Sequence, residues 1–425
     1  MIKVSSVLSA LIASSMLMFA LRGKAGAVVI TICILAIVLF QITQRKIKTN
    51  YCFFYAIYVF IFAVILHYTR SYSFEYYLLI GYLAASILLL NSKLDLYNKL
   101  WPMLGYISIF QAVGIYMQWL LPSVYYSILS IILPSSVVSA IKGRLVAGYY
   151  TGFCREVSYS MFFIVIGLGI YIFKMIQHKN GILSAQIKRF LGILFLLGAL
   201  ILSGKRATLL FFVVTIFTIL FIKSRDRLKF FKYMAWCIGF IIVIYLTYPL
   251  WSKIPSLARI VELLEFISED DLVGITNGRI AIYEKAIELW KSNPIYGIGW
   301  GNFKYSISES IWYSGFDVHN CYLQILCETG IIGAVFYYGL TIFAIINLIR
   351  CILVTRETKN NHNLALLAGF IQIFFSIYCI TEPILYEYSD YIIYFIAINV
   401  SCLILKETKK YNKYHRHQEG NINNG

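Results

Sequence analysis

Apolar runs of roughly 17–25 residues recur along this chain, at about 4–21, 26–43, 51–69, 74–91, 101–120, 157–173, 189–204, 207–222, 230–250, 331–349, 363–381 and 388–405. Each is long enough to cross ~30 Å of hydrocarbon as an α-helix. No water is present in lipid to bond exposed backbone, so a spanning segment must satisfy its N–H and C=O groups internally, as a helix does. The twelve runs predict an all-α, polytopic integral membrane protein with about 12 transmembrane helices. Composition agrees: 13% of residues are charged, against ~25% in soluble domains. A further apolar stretch at 124–140 is interrupted by Pro134 and several serines, and reads as re-entrant or interfacial.

Charge sets the expected orientation. With a cytoplasmic N-terminus, the alternate loops on the cytoplasmic side hold 23 of the 37 basic residues, among them Lys174, Arg189, Lys223 and Arg356. Such an excess marks the cytoplasmic face. The net charge of +17 is therefore read as a topology signal. Nucleic acid is not an expected partner, because the basic residues are scattered over short loops and form no stripe. The first run and Ala25-Gly26-Ala27 look like a cleavable signal, but Arg22 and Lys24 precede that site and removal would break loop parity; the span is expected to be retained. Nine cysteines include no Cys-x-x-Cys pair, so neither a zinc site nor a disulfide framework is expected. The parts are 1–189, N-terminal spans; 190–349, a core that includes the long loop; 350–405, C-terminal spans; and 406–425, a polar cytoplasmic tail expected to be disordered.

One hydrophilic segment, 250–320, departs from this pattern. It carries six basic and nine acidic residues and faces away from the cytoplasm by parity. Its acidic run, 261–272, reads as a solvated turn, having no ligand spacing for a metal. Thr276-Asn277 offer a cap for a helix over 279–291, with Ile280, Tyr283, Ile287 and Trp290 as its apolar stripe. Arg279 falls in that helix's first turn, where a cation gains nothing from the helix dipole; the misfit favours a binding role. Gly297-Ile298-Gly299-Trp300-Gly301 is a tight turn or an anion cradle. His319 stands before a short helix over 320–329 that ends at Gly330, with Gln324 and Glu328 on one polar face. The positive end of a helix keeps an imidazole neutral, the state a general base needs. Only His67 shares the outer face with it.

Charged residues also interrupt the span ends. Lys205-Arg206 occupies a short outer turn, an expensive position unless it meets an anion or a carboxylate. Arg144, Arg155 and Glu156 form a second cluster, in which Arg155 and Glu156 are able to pair. Glu382, Glu387 and Asp390 supply carboxylates to neutralise an arginine or orient His319. The ligand this collection suits has a diphosphate-sized anion, a lipid tail and hydroxyl-rich parts outside the bilayer.

Asn277-Gly278-Arg279 with Trp290, then Asn293-Pro294-Ile295-Tyr296-Gly297-Ile298-Gly299, then His319-Asn320-Cys321-Tyr322-Leu323-Gln324 running into Gly330-Ile331-Ile332-Gly333 resemble the shared domain of bacterial O-antigen polymerases and O-antigen ligases. Ser203-Gly204-Lys205-Arg206 is similar to that family's Ser-x-x-Arg element. Gly152-Phe153-Cys154-Arg155-Glu156-Val157-Ser158 resembles a stretch of capsule polymerases, with Val157 where proline is usual. The resemblance implies a membrane glycosyltransferase of the bacterial inner membrane with no cofactor. Its donor would be an undecaprenyl-diphosphate-linked oligosaccharide, and chain-length regulator and flippase proteins are candidate partners. It implies His319, Arg279 and Arg206 as catalytic residues, with Lys205, Arg144, Arg155, Glu156 and Asn320 binding substrate. A repeat-unit polymerase is the first reading and a ligase the alternative. A transporter of lipid-linked sugars is less favoured, because the chain shows no internal repeat.

Overall fold

The computed structural model describes residues 4–22, 94–177, 182–224, 279–307, 317–358, 361–382, 384 and 387–422, with scattered positions between 231 and 258. Its elements are helices: α1 (Val4–Arg22), α2 (Leu94–Leu120), α3 (Pro122–Ile132), α4 (Ser135–Val146), α5 (Val157–Gln177), α6 (Leu183–Leu202), α7 (Arg206–Lys223), α8 (Arg279–Ser292), α9 (Phe303–Ser306), α10 (Cys321–Thr358), α11 (His362–Tyr378) and α12 (Tyr388–Ile422). Among the described residues, six helices are long and apolar enough to cross a membrane: α2, α5, α6, α7, most of α10 and the first part of α12. Helix α11, at 17 residues, falls just short of that length. The runs at 26–43, 51–69 and 74–91 lie outside the described residues, as do most of 230–250, the acidic run 261–272, Asn277 and His67.

Helix α5 is the hub. Met161 through Leu168 are buried without a break, and α5 packs on α2, α6 and α11. A helix that is apolar all round belongs in the interior. Helices α6, α7 and α10 differ, leaving Leu191, Leu194, Leu210, Val214, Val335 and Ile342 exposed. Lipid is the solvent that tolerates those faces, so the chain is an integral membrane protein. Between helices, buried side chains donate across the interface: Ser108 Oγ to the Phe163 carbonyl at 2.5 Å, and Gln372 Nε2 to Ser401 Oγ at 2.8 Å. Phe374 stacks on Tyr378 at 5.1 Å, and the Tyr378 hydroxyl donates to the Ser158 carbonyl at 3.0 Å. That bond fixes the end of α11 against the start of α5.

The structure adds detail to some sequence expectations and corrects others. The stretch at 124–140 is two helices, α3 and α4, broken at Leu133-Pro134. Each is too short to span a bilayer. The buried face of α8 is Ile282 and Ala286, backed by Tyr283 and Leu289; Ile287 is exposed. The stripe is rotated from the expected one because α8 packs on the start of α10, beside Val318 and Cys327. The limits at 189/190 and 349/350 fall inside α6 and α10. Helix α12 runs to Ile422, through the tail expected to be disordered. Glu407, Lys409 and Lys410 are good helix formers that extend a helix already anchored in the core.

Candidate functional site

At one end of the bundle the chain reverses between α11 and α12, and three other segments are tied to this turn. The Cys321 N–H donates to the Cys379 carbonyl at 2.8 Å, and its thiol to the Glu382 carbonyl at 3.2 Å. The Arg279 guanidinium donates to the Thr381 carbonyl at 2.7 Å. The Lys205 ammonium lies 2.8–2.9 Å from both oxygens of the Glu382 carboxylate, and Ser158 Oγ donates to Glu382 at 2.6 Å. Residues more than a hundred positions apart thus share one hub. Glu382 is 1% exposed. Burial would raise its pKa, but Lys205 and Arg279 outweigh burial and hold the carboxyl below its ordinary value.

Each contributor has a local cause. Gly204, with φ 73°, lets α6 turn into α7 within a few residues, and Ser203 Oγ accepts the Lys205 N–H at 3.1 Å. Arg206 is the first residue of α7 and Arg279 the first of α8. Asn320 caps α10, its Oδ1 accepting the N–H groups of Tyr322 and Leu323 at 3.0 and 3.1 Å. Asn320 is therefore the cap, and only its amide nitrogen remains for a substrate. His319 itself is left-handed, with φ 55°, a costly backbone for a non-glycine residue. Tyr283 Oη donates to its carbonyl at 3.4 Å.

A cavity of about 380 Å³ is lined by Lys205, Arg206, Arg279, Asn320 and Glu382, with Leu210 and Phe211 of α7 and Ile380 as an apolar wall. Three cations against one carboxylate leave a formal charge of +2 among these lining groups. Leu210 and Ile380 are about half exposed and continue the wall toward the lipid-facing surface. His319, next to Asn320, is partly buried. That burial, followed by the field of Arg279, pulls its pKa down to about 4, with Lys205 and Arg144 acting the same way and Glu382 opposing them.

The remaining predicted residues sit beside this cavity without lining it. Arg144 pairs with Glu156, not Arg155 with Glu156 as the sequence allowed. Arg155 is exposed and faces Tyr159 and Glu387. Tyr159 donates to the Glu387 carboxylate. Burial raises the Glu387 pKa to about 8 in spite of Tyr159 and Arg155.

The glycine run is a turn. Its N–H groups are consumed internally: Ile298 by the Cys327 carbonyl, Gly299 by the Glu328 carbonyl, Gly301 and Phe303 by the Glu328 carboxylate at 2.8 and 3.2 Å. No cradle for an external anion is left there. A Cβ on Gly330 (φ 63°) would run into the Ile295 carbonyl, and one on Gly297 into the backbone of Glu328. Gly330→Ala is therefore expected to lower stability by at least ~1–2 kcal/mol for the left-handed backbone alone. A thermal unfolding midpoint equal to that of the parent chain would contradict this.

Sequence reasoning undervalued Glu382 and missed Ser158, the two groups that immobilise Lys205. Glu382 was legible as an outer-turn carboxylate, but nothing local marks its bond to residues 177 and 224 positions away. Residues 191–338 match the family model described as O-antigen ligase. The matched stretch contains Lys205, Arg206, Arg279, His319 and Asn320, and omits Arg144, Arg155, Glu156 and Glu382. No curated protein matches the chain.

Proposed function

We propose, on the premise that residues 191–338 match the O-antigen ligase family model, that the protein is a repeat-unit polymerase. It transfers a growing glycan from a polyprenyl diphosphate to a hydroxyl of a lipid-linked repeat unit, on the outer face of the membrane. The observation that carries the reading is the cavity itself: a formal +2 set on a rigid frame, opening along an apolar wall. A diphosphate with an isoprenoid tail is doubly anionic at one end and hydrocarbon at the other.

In the proposed reaction the acceptor oxygen attacks the anomeric carbon from the face opposite the diphosphate. The carbon–oxygen bond to the diphosphate breaks, and its electron pair leaves on that oxygen. Negative charge grows there in the transition state, where Arg206 and Arg279 meet it. His319 takes the proton of the attacking hydroxyl. Lys205 is already engaged by Glu382 and Ser158, so it acts as a fixed charge at the cavity floor. Arg144 contributes to the potential at His319 while paired with Glu156. On this reading Arg155 and Glu156 meet sugar hydroxyls outside the cavity.

Polymerase is preferred to ligase because the Arg155–Ser158 stretch, which resembles capsule polymerases, joins the site through the Ser158–Glu382 bond. The test supplies purified protein with lipid-linked repeat units as sole substrate. A product ladder is expected. A single transfer seen only after adding a different acceptor would assign the ligase reaction instead. Arg279→Ala should slow the ladder by about 10²–10³, the typical cost of losing one preorganised charge contact. An unchanged rate would remove Arg279 from the mechanism.

A further inference from the structure

A second cavity, of about 460 Å³, opens at the opposite end of the same helices. Along α5, Lys174 lies 16 residues beyond Ser158, roughly 24 Å away at 1.5 Å per residue. The walls include Trp101 of α2, Lys174 and Gln177 of α5, and Asn361, His362 and Asn363 at the start of α11. None of the lining residues is acidic. Further cations stand behind them, with Arg189 acting electrostatically on Lys174, and Lys223 and Arg356 on His362. Trp101 is 3% exposed, and its buried indole N–H has no hydrogen-bond partner among the described residues. A buried donor left unpaired is costly, and native proteins rarely keep one without a reason.

The unused donor, the amides and the cations, which form no ion pair among the described residues, ask for an anion rich in oxygen acceptors. Ile170, Phe173, Leu364 and Leu367 complete the lining, so the site also offers hydrocarbon. The segments meeting here are those that the charge asymmetry assigns to the cytoplasmic side, where anionic lipids attract basic pockets between helices. We propose that this cavity binds the phosphate of an anionic phospholipid headgroup, with Lys174 and the Trp101 N–H as its principal contacts. The site is separate from the glycosyl-transfer cavity and stands whether or not that reading holds.

The full chain, purified in neutral detergent, would be titrated with short-chain phosphatidylglycerol, short-chain phosphatidylcholine and inorganic phosphate. Binding is read by native mass spectrometry and by the change in tryptophan fluorescence. Saturable phosphatidylglycerol binding is expected, weakened about 10-fold by Trp101→Phe, which removes one charge-assisted hydrogen bond and keeps a ring. Lys174→Glu should weaken it at least as much, and Lys174→Arg should restore it. Competition by inorganic phosphate under the same dependence on Trp101 and Lys174 would keep the site and assign it to a soluble phosphate. Equal binding of both lipids that neither Trp101→Phe nor Lys174→Glu alters would overturn the proposal. The unfolding midpoint without lipid serves as the folding control, and the Trp101→Phe value should match that of the parent chain.

Discussion

His319→Ala should reduce glycosyl transfer by about 10²–10⁴, the usual worth of a positioned general base, while the protein still accumulates in the membrane. Long glycan chains would disappear, leaving single repeat units on the lipid carrier. Normal chain lengths from a well-expressed variant would exclude the histidine from the chemistry. The pH dependence makes the test sharper. In the ligand-free protein burial and the neighbouring cations hold the His319 pKa near 4, so the imidazole stays neutral and ready well below its ordinary pKa of ~6.5. A bound diphosphate would offset the field of Arg279 and Lys205 and raise that pKa, since a nearby anion favours imidazolium. The acid limb of kcat/KM, which reports the free enzyme, should thus lie at lower pH than the limb of kcat, which reports the bound complex. Limbs in the reverse order would refute this coupling. Donor binding, on this account, strengthens the base that must act next.

Glu382→Ala should have the largest effect on folding. Removing one partner of a buried ion pair costs about 3–5 kcal/mol, because the other charge is left uncompensated. Here that charge is Lys205, whose side chain is 13% exposed. The same substitution frees Ser158 and removes the charge that faces Arg279, while the backbone carbonyls of Thr381 and Glu382 that receive Arg279 and Cys321 remain. The double variant Lys205→Met with Glu382→Ala should recover much of the stability, since no buried charge remains, yet stay impaired in transfer. Full recovery of transfer would show that the pair serves folding alone. The folded-state pKa of Glu382 lies below the ordinary carboxylate value. Its stabilisation is accordingly present above that ordinary value, ~4.3, and is lost as pH falls through the folded-state value. A stability profile that rises on acidification over this range would contradict the assignment.

Much of this arrangement could be read before any coordinates. Apolar runs located α5 and α7 to within a few residues and marked the apolar middles of α2, α6, α10 and α12, which extend six or more residues beyond the predicted runs, because backbone in hydrocarbon must bond to itself. Loop parity placed Arg144, Lys205, Arg206, Arg279 and His319 on one side, and the structure gathers the ends carrying them. His319 before a helix whose geometry changes at Gly330 was also legible, from the glycine closing a short segment with one polar face; that Asn320 caps it was not.

Other features depended on packing. The buried face of α8 was misjudged because periodicity defines a stripe without saying which neighbour will cover it. The glycine run was ambiguous because positive φ serves turns and anion cradles alike; Glu328, reaching back to the amides of Gly301 and Phe303, resolved it. Pattern and charge, which act along the chain and against the solvent, were enough to find the helices the structure describes and the polar residue types at their ends. That the Thr381-Glu382 turn would be the shared anchor of Ser158, Lys205, Arg279 and Cys321 was decided only by tertiary contact. Bonds between residues so far apart form when whole helices dock, and no local propensity encodes them.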